Sequence, residues 1–214
     1  PGGRFQIIDD DFTTIGWGQV DWSDYNSVNG ETWPACGDVD GDGRDEILIG
    51  LGVGGNGVTE VFDFDNGQAR HKAWVTLDWE EYCMAGGGVK PAAGNLGGGR
   101  AAEIVLGLYP VGDVLIPEGK FEVLSLRGGH LDWGSIDWDE YNFVSGETRP
   151  LCADVNRTMR DEILLGLGKG GNGRIGVYSL LRDKIYFRSW LDVGPTQYRS
   201  QNGETRLSAG DYDG

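Results

Sequence analysis

The sequence predicts an all-β fold of the propeller type, and three observations carry that reading. First, a unit of roughly 58 residues recurs, and long periods of this kind mark solenoids, propellers or arrays. Its clearest markers are Trp17, Trp74, Trp133 and Trp190, spaced by 57, 59 and 57 residues. Second, short apolar segments lie between glycine-rich turns, as strands do in an all-β repeat. Third, Gly supplies 38 of 214 residues, well above the roughly 7% of ordinary chains, and Ala-Leu-Glu-Lys helical stretches are scarce. Long helices are not expected.

The elements of the unit follow in a fixed order. Residues 3–9 align with residues 57–63, so the chain opens just after the place of a glycine turn. A Trp-bearing strand comes next, then a DW pair at Asp21-Trp22, Asp78-Trp79 and Asp137-Trp138, and a tyrosine at Tyr25, Tyr82, Tyr141 and Tyr198. A GET triplet follows at residues 30–32, 146–148 and 203–205, and is replaced by Gly86-Gly87-Gly88 in the second copy. An acidic loop then begins at Asp38, Asn95, Asp154 and Asp211. After it, residues 47–51, 104–108 and 163–167 are apolar throughout, which implies burial on both faces and reads as an inner strand. Turns such as Gly54-Gly55-Asn56-Gly57 supply the positive φ angles of hairpins, and an alternating strand completes the unit. This makes three or four strands per unit, close to a propeller blade.

The expected organisation is one propeller segment over residues 1–214. Its approximate units are 1–30 (partial), 31–87, 88–146, 147–203 and 204–214 (partial), amounting to three whole blades and most of a fourth. Open ends would expose strand edges, which proteins avoid. Part of a larger propeller, or one completed by further copies, is therefore expected, and the start at Pro1 suggests a mature form or a fragment.

Composition excludes several classes. With 18 Lys+Arg against 34 Asp+Glu the formal charge is −16, which argues against nucleic acid, whose binders need basic patches. No polybasic anchor or bilayer-length apolar run is present, so membrane insertion is not expected. Cys36, Cys83 and Cys152 lack zinc spacing and cannot all pair; they read as small buried apolar residues.

The sharpest chemical signal is Asp38-Val39-Asp40-Gly41-Asp42-Gly43-Arg44-Asp45-Glu46. Carboxylates at the first, third and fifth positions converge when glycines allow a tight turn, Glu46 closes the shell, and the Arg44 carbonyl is the further ligand expected. Hard oxygen donors in this number suit Ca2+ better than Mg2+. The opening also fits an EF-hand, but its twelfth position is Ile49, in a strand. A solvated Asp/Gly turn is the bland alternative; three alternate carboxylates would repel one another there without a cation. The second loop keeps Glu103 but lacks the middle acids and is expected to hold no ion. The third has Asp154, Asn156, Thr158 and Glu162 at the ligand places, with Arg157 and Met159 replacing glycines, which disfavours calcium. The fourth offers Asp211 and Asp213 alone.

The run at residues 38–52, recurring at propeller period after a GET-P segment, resembles the FG-GAP/VCBS repeat of integrin-α-like β-propellers, over nearly the whole chain. The resemblance implies a calcium-binding loop between two strands and an extracellular setting, in adhesion proteins, lectins and secreted bacterial proteins. Here Glu46 stands where Asp is commoner, two loops are eroded, and a long W-x-x-x-D-W-x-x-Y segment is present.

Other candidates have bland readings beside them. Trp22, Tyr25, Trp79, Tyr82, Trp138 and Tyr141 could form a sugar platform, but recurrence favours rings packing blade against blade from an outer strand. His71 and His130 each precede the repeat Trp by three residues, which suggests a strand-edge or turn role. The pairs Glu80-Glu81 and Asp139-Glu140 invite a glycosidase reading, yet they too recur at matching places. A binding function is expected, not an enzyme: adhesion or assembly through a protein partner or further copies, with a glycan-binding lectin and then a polysaccharide-degrading domain as alternatives.

Overall fold

The structure is a computed structural model, and it describes residues 2–112, 117–127 and 129–210. Its strands are β1 (Arg4–Ile8), β2 (Thr14–Gln19), β3 (Thr32–Gly37), β4 (Glu46–Leu51), β5 (Val58–Asp65), β6 (Gln68–Thr76), β7 (Val89–Gly94), β8 (Glu103–Leu108), β9 (Lys120–Ser125), β10 (Gly129–Ser135), β11 (Thr148–Ala153), β12 (Glu162–Leu167), β13 (Arg174–Leu181) and β14 (Lys184–Asp192). Four short helices intervene: α1 (Ser23–Val28), α2 (Glu80–Met84), α3 (Asp139–Val144) and α4 (Thr196–Ser200).

The strands form three sheets. Two are four-stranded antiparallel meanders, β7-β8-β9-β10 and β11-β12-β13-β14. The third has six strands, because the β1-β2 hairpin joins the meander β3-β4-β5-β6 through one parallel bridge, Trp17 to Gln68. Each meander is closed by the turn chemistry that the glycines supply. In the β4-β5 turn Gly54, Asn56 and Gly57 have φ of 87°, 53° and 70°, angles open to Gly and tolerated by Asn.

Three sequence readings are corrected by this architecture. The apolar strand is second in its meander, not innermost: β7 contacts both β3 and β11 across the sheets, so the first strands, which carry the GET-Pro segments, line the axis. β4 is buried along its whole length because it has a paired strand on each edge, with Leu48 packed against the β7–β10 sheet on one face and Ile47, Ile49 and Leu51 packed with Phe5, Val20 and Tyr25 on the other. The repeat Trp lies on the fourth strand, β6, β10 and β14. The DW-x-x-Y segment is not an outer strand but a helical turn, with Trp22, Trp79 and Trp138 at the N-cap positions of α1, α2 and α3. Hydrophobic periodicity over so few residues could not distinguish the two. The cysteines are all free, and Cys36 is exposed where a buried position was expected; the matching Cys152 lies against Gly94 of the preceding sheet, a contact Cys36 lacks among the described residues.

Close approach of the sheets explains a recurring glycine. A Cβ on Gly50 would meet Pro91 Cδ and Val89 O at 2.4 Å, and one on Gly107 would meet Pro150 Cδ at 2.4 Å. The second strand of each meander therefore lets the first strand of the next lie directly on it. The core fills the sheet-to-sheet spaces: Leu48, Val61, Val89, Ile104 and Leu106 belong to one buried cluster, and Val105, Phe121, Val123, Ile163 and Tyr178 to the next.

Candidate metal centre

The acidic loop connects β3 to β4, so its ends are fixed by a paired strand on each side. Gly41 and Gly43 take φ of 78° and 94°, which folds the intervening backbone inward and aims its N–H groups at the aspartates. Asp38 Oδ1 accepts from Gly41 N at 2.8 Å and Asp42 N at 3.0 Å, and its Oδ2 accepts from Gly43 N at 2.9 Å. Asp40 Oδ1 accepts from Asp42 N, and Asp42 Oδ1 from Arg44 N, both at 2.9 Å. The result brings one oxygen of each of Asp38, Asp40 and Asp42 within 4.8 Å of the others, the one such group of acids among the described residues.

That spacing fits a hard cation. Calcium–oxygen bonds of about 2.3–2.6 Å place oxygens on opposite sides of the ion roughly 5 Å apart, and every donor here is a carboxylate oxygen. Asp38, Asp40 and Asp42 would hold the ion, and the Arg44 carbonyl follows them at the loop's seventh place.

Glu46 is placed differently from the other candidates. Its Oε2 accepts from Val39 N at 3.0 Å and Asp40 N at 3.2 Å, while Oε1 faces the Lys72 ammonium at 3.1 Å. Glu46 is thus a clasp that ties the loop's first turn to β4. Sequence reasoning missed Lys72, which lies on β6, 32 residues from Asp40. Its Nζ donates to Asp40 Oδ2 and Asp63 Oδ1, each at 2.6 Å. Burial alone would lower the Lys72 pKa, but the hydrogen bonds it donates to Asp40, Asp63 and Glu46 outweigh that and raise it. The same ammonium holds Asp40 below the usual carboxylate range. Burial pushes Glu46 up despite Lys72. Repeat alignment gives no warning, since the places matching Lys72 hold Leu131 and Arg188.

The other loops keep the scaffold and change the donors. In the third, Asp154 accepts from Thr158 N at 3.1 Å and Met159 N at 2.7 Å. Arg157 and Met159 adopt φ of 63° and 62° where the first loop has glycines. Asn156 Nδ2 donates to Glu162, so the amide does locally what Lys72 does in the first loop. Asp154, Asn156, Thr158 and Glu162 are therefore brought together, but as a hydrogen-bonded loop. In the second, Glu103 Oε2 accepts from Leu96 N and Gly97 N at 2.9 Å, the same clasp as Glu46. Asp211 and Asp213 lie outside the described residues.

The aromatic candidates are distributed between packing and surface. Tyr25, Tyr82 and Tyr141 are buried. Tyr25 Oη donates to Glu31 O at 2.5 Å and accepts from Gly52 N at 2.7 Å; Tyr141 does the same with Glu147 O and Gly168 N. Burial raises the Tyr25 pKa to about 12. Trp22, Trp79 and Trp138 are half-buried and ring-pack on these tyrosines at centroid distances of 5.7, 5.5 and 5.6 Å. Lys120 Nζ sits 4.2 Å from the Trp79 ring centroid and the Arg174 guanidinium 4.7 Å from that of Trp138. Cations from the next meander thus cover these rings.

Two buried acids were also missed. Glu60 accepts from Asp21 N at 2.9 Å and pairs with His71 Nδ1 at 2.8 Å. Glu122 repeats this with Asp78 N and His130. They lock each DW turn to the following sheet, through His71 within β6 and through His130 near the start of the edge strand β10. The sequence signal was a charged residue at an inward strand position, at 60 and again at 122.

The fold has solved counterparts. A structure described as the Dos1 propeller aligns with a TM-score of 0.53 and 11% identity, over 89% of this chain and 42% of that one. The exotype rhamnogalacturonan lyase YesX aligns with a TM-score of 0.50 and 11% identity, over 92% of this chain and 37% of that one. The chain is therefore an all-β propeller fold that spans less than half the length of these neighbours. No protein-family model matches the sequence, and no curated protein matches it.

Proposed function

We propose that the chain is a calcium-stabilised propeller module that works in an extracellular setting by binding, through a protein partner or further copies that extend the propeller. The observation that carries the calcium reading is the convergence of Asp38, Asp40 and Asp42 within 4.8 Å. In this reading the FG-GAP/VCBS resemblance holds, and β3–β6, β7–β10 and β11–β14 are three whole blades. β1–β2 and the segment from residue 203 onward are then parts of further blades. Thr205 supports the last point: its hydroxyl accepts from Leu167 N at 2.7 Å, as Thr148 accepts from Leu108 N at 2.9 Å at the start of β11.

Protein binding is favoured over glycan binding because the tyrosines are buried and cations cover Trp79 and Trp138, while apolar side chains stand exposed on β2 and β14. Trp17 on β2 and Tyr186, Phe187 and Leu191 on β14 are each at least 40% exposed. The acids Glu80, Glu81, Asp139 and Glu140 are exposed in the first turns of α2 and α3, where carboxylates favour the helix start. The lyase neighbour lends its fold at 11% identity and nothing of its chemistry.

Thermal melting with about 1 mM calcium and with chelator tests the metal reading. Calcium should raise the melting temperature of the natural chain and not that of Asp40→Ala; identical melts of the natural chain in both conditions would overturn it.

A further inference from the structure

The axial ends of the first strands carry a second constellation. Trp33, Lys90 and Arg149 occupy equivalent places on β3, β7 and β11, each opposite a glycine of the adjoining strand (Gly50, Gly107 and Gly166) and each followed by a proline. Arg206 continues the series one repeat on. These four residues, with Pro34, Pro91, Pro150 and Leu207, line one cleft. The next residues on the same strand faces are small or apolar: Ala35, Ala92 and Leu151, then Gly37, Gly94 and Ala153. Lys90, Arg149 and Arg206 therefore lie together at one end of these strands.

They are ordered by carboxylates. Glu147 pairs with Lys90 and accepts from Arg149 Nε at 2.8 Å. Glu204 accepts from Arg149 Nη1 at 2.6 Å and from Arg206 Nε and Nη2 at 3.1 and 3.0 Å. Lys90 Nζ lies 4.6 Å from the Trp33 ring centroid and 4.8 Å from that of Tyr109. The side chains of Lys90 and Arg149 are only 13% and 16% exposed. Burying so many charges gains little stability over an apolar hub, and paired charges in a cleft are candidates for function. Two guanidinium nitrogens, Arg149 Nη2 and Arg206 Nη1, take no hydrogen bond among the described residues. Arg206 is 81% exposed at the rim. Planar guanidinium forks match carboxylate and phosphate alike, and Pro34, Pro91, Pro150 and Leu207 offer an apolar wall that a ring would use and inorganic phosphate would not.

We infer that this axial cleft binds a small ring carboxylate, with Arg206 and Arg149 receiving the carboxylate and the prolines contacting the ring beside Trp33.

The test uses the whole chain and three probes followed by calorimetry and tryptophan fluorescence: glucuronate, glucose and inorganic phosphate. Glucuronate should bind, glucose should not, and phosphate should bind more weakly. Arg206→Gln, at an exposed site that leaves the fold intact by circular dichroism, should weaken glucuronate about tenfold or more, the size of a lost charged hydrogen bond. Trp33→Phe should remove the fluorescence change. No glucuronate binding, equal binding in Arg206→Gln, or tighter binding of phosphate than of glucuronate would each overturn the assignment.

Discussion

Glu46 shows how much a single side chain carries in this chain. It is 2% exposed and answers two backbone N–H groups of the loop and one ammonium. Removing it leaves buried donors unanswered, at about 1–3 kcal/mol, and Glu46→Ala should lose that much stability in urea denaturation even in chelator. Glu60 and Glu122 make the stability depend on pH. Burial raises both above their ordinary value of 4.5, against the pull of the Asp21 and Asp78 N–H groups and of His71 and His130. A raised carboxyl favours the protonated fold, so their contribution is full below pH 4.5 and is lost as pH rises through the raised value. Compared with the natural chain, Glu60→Gln/Glu122→Gln should show a flatter fall in stability with rising pH above 4.5, measured by melting across that range. An unchanged slope would show that the two acids do not titrate with folding.

At the scale of elements, the packing of one sheet on the next rests on residues without side chains. Gly50→Ala would drive a Cβ to 2.4 Å from Pro91 Cδ and Val89 O, and rigid backbone and ring neighbours leave little room to yield. A loss of about 1–3 kcal/mol is expected from overpacking, read as a lower urea midpoint. Much of this level was legible in the sequence. The repeat, the glycine turns, the fully apolar strand and the acidic loop between strands were all visible because each depends on local pattern. Strand order was not, because β3 and β4 differ in their neighbours rather than in their own periodicity. The DW-x-x-Y turn was read as a strand because four or five residues fit either period. Lys72, Glu60 and Glu122 were missed because their partners lie 32, 39 and 44 residues away.

For the molecule as a whole, the proposed calcium site makes the acidic loop and Lys72 the groups that would set how the fold responds to the ion. The loop gathers three aspartates that repel one another, and Lys72 offsets part of that charge by bridging Asp40, Glu46 and Asp63. Lys72→Met should therefore destabilise the chain in chelator while enlarging the rise in melting temperature on adding calcium; an unchanged response would separate the ammonium from the metal site. The most direct measurement is a calorimetric titration of calcium into the chelator-stripped chain. One binding event per chain is predicted, abolished by Asp38→Asn/Asp42→Asn. Absence of binding to the natural chain, or equal binding by that double variant, would contradict a metal held by the β3–β4 loop.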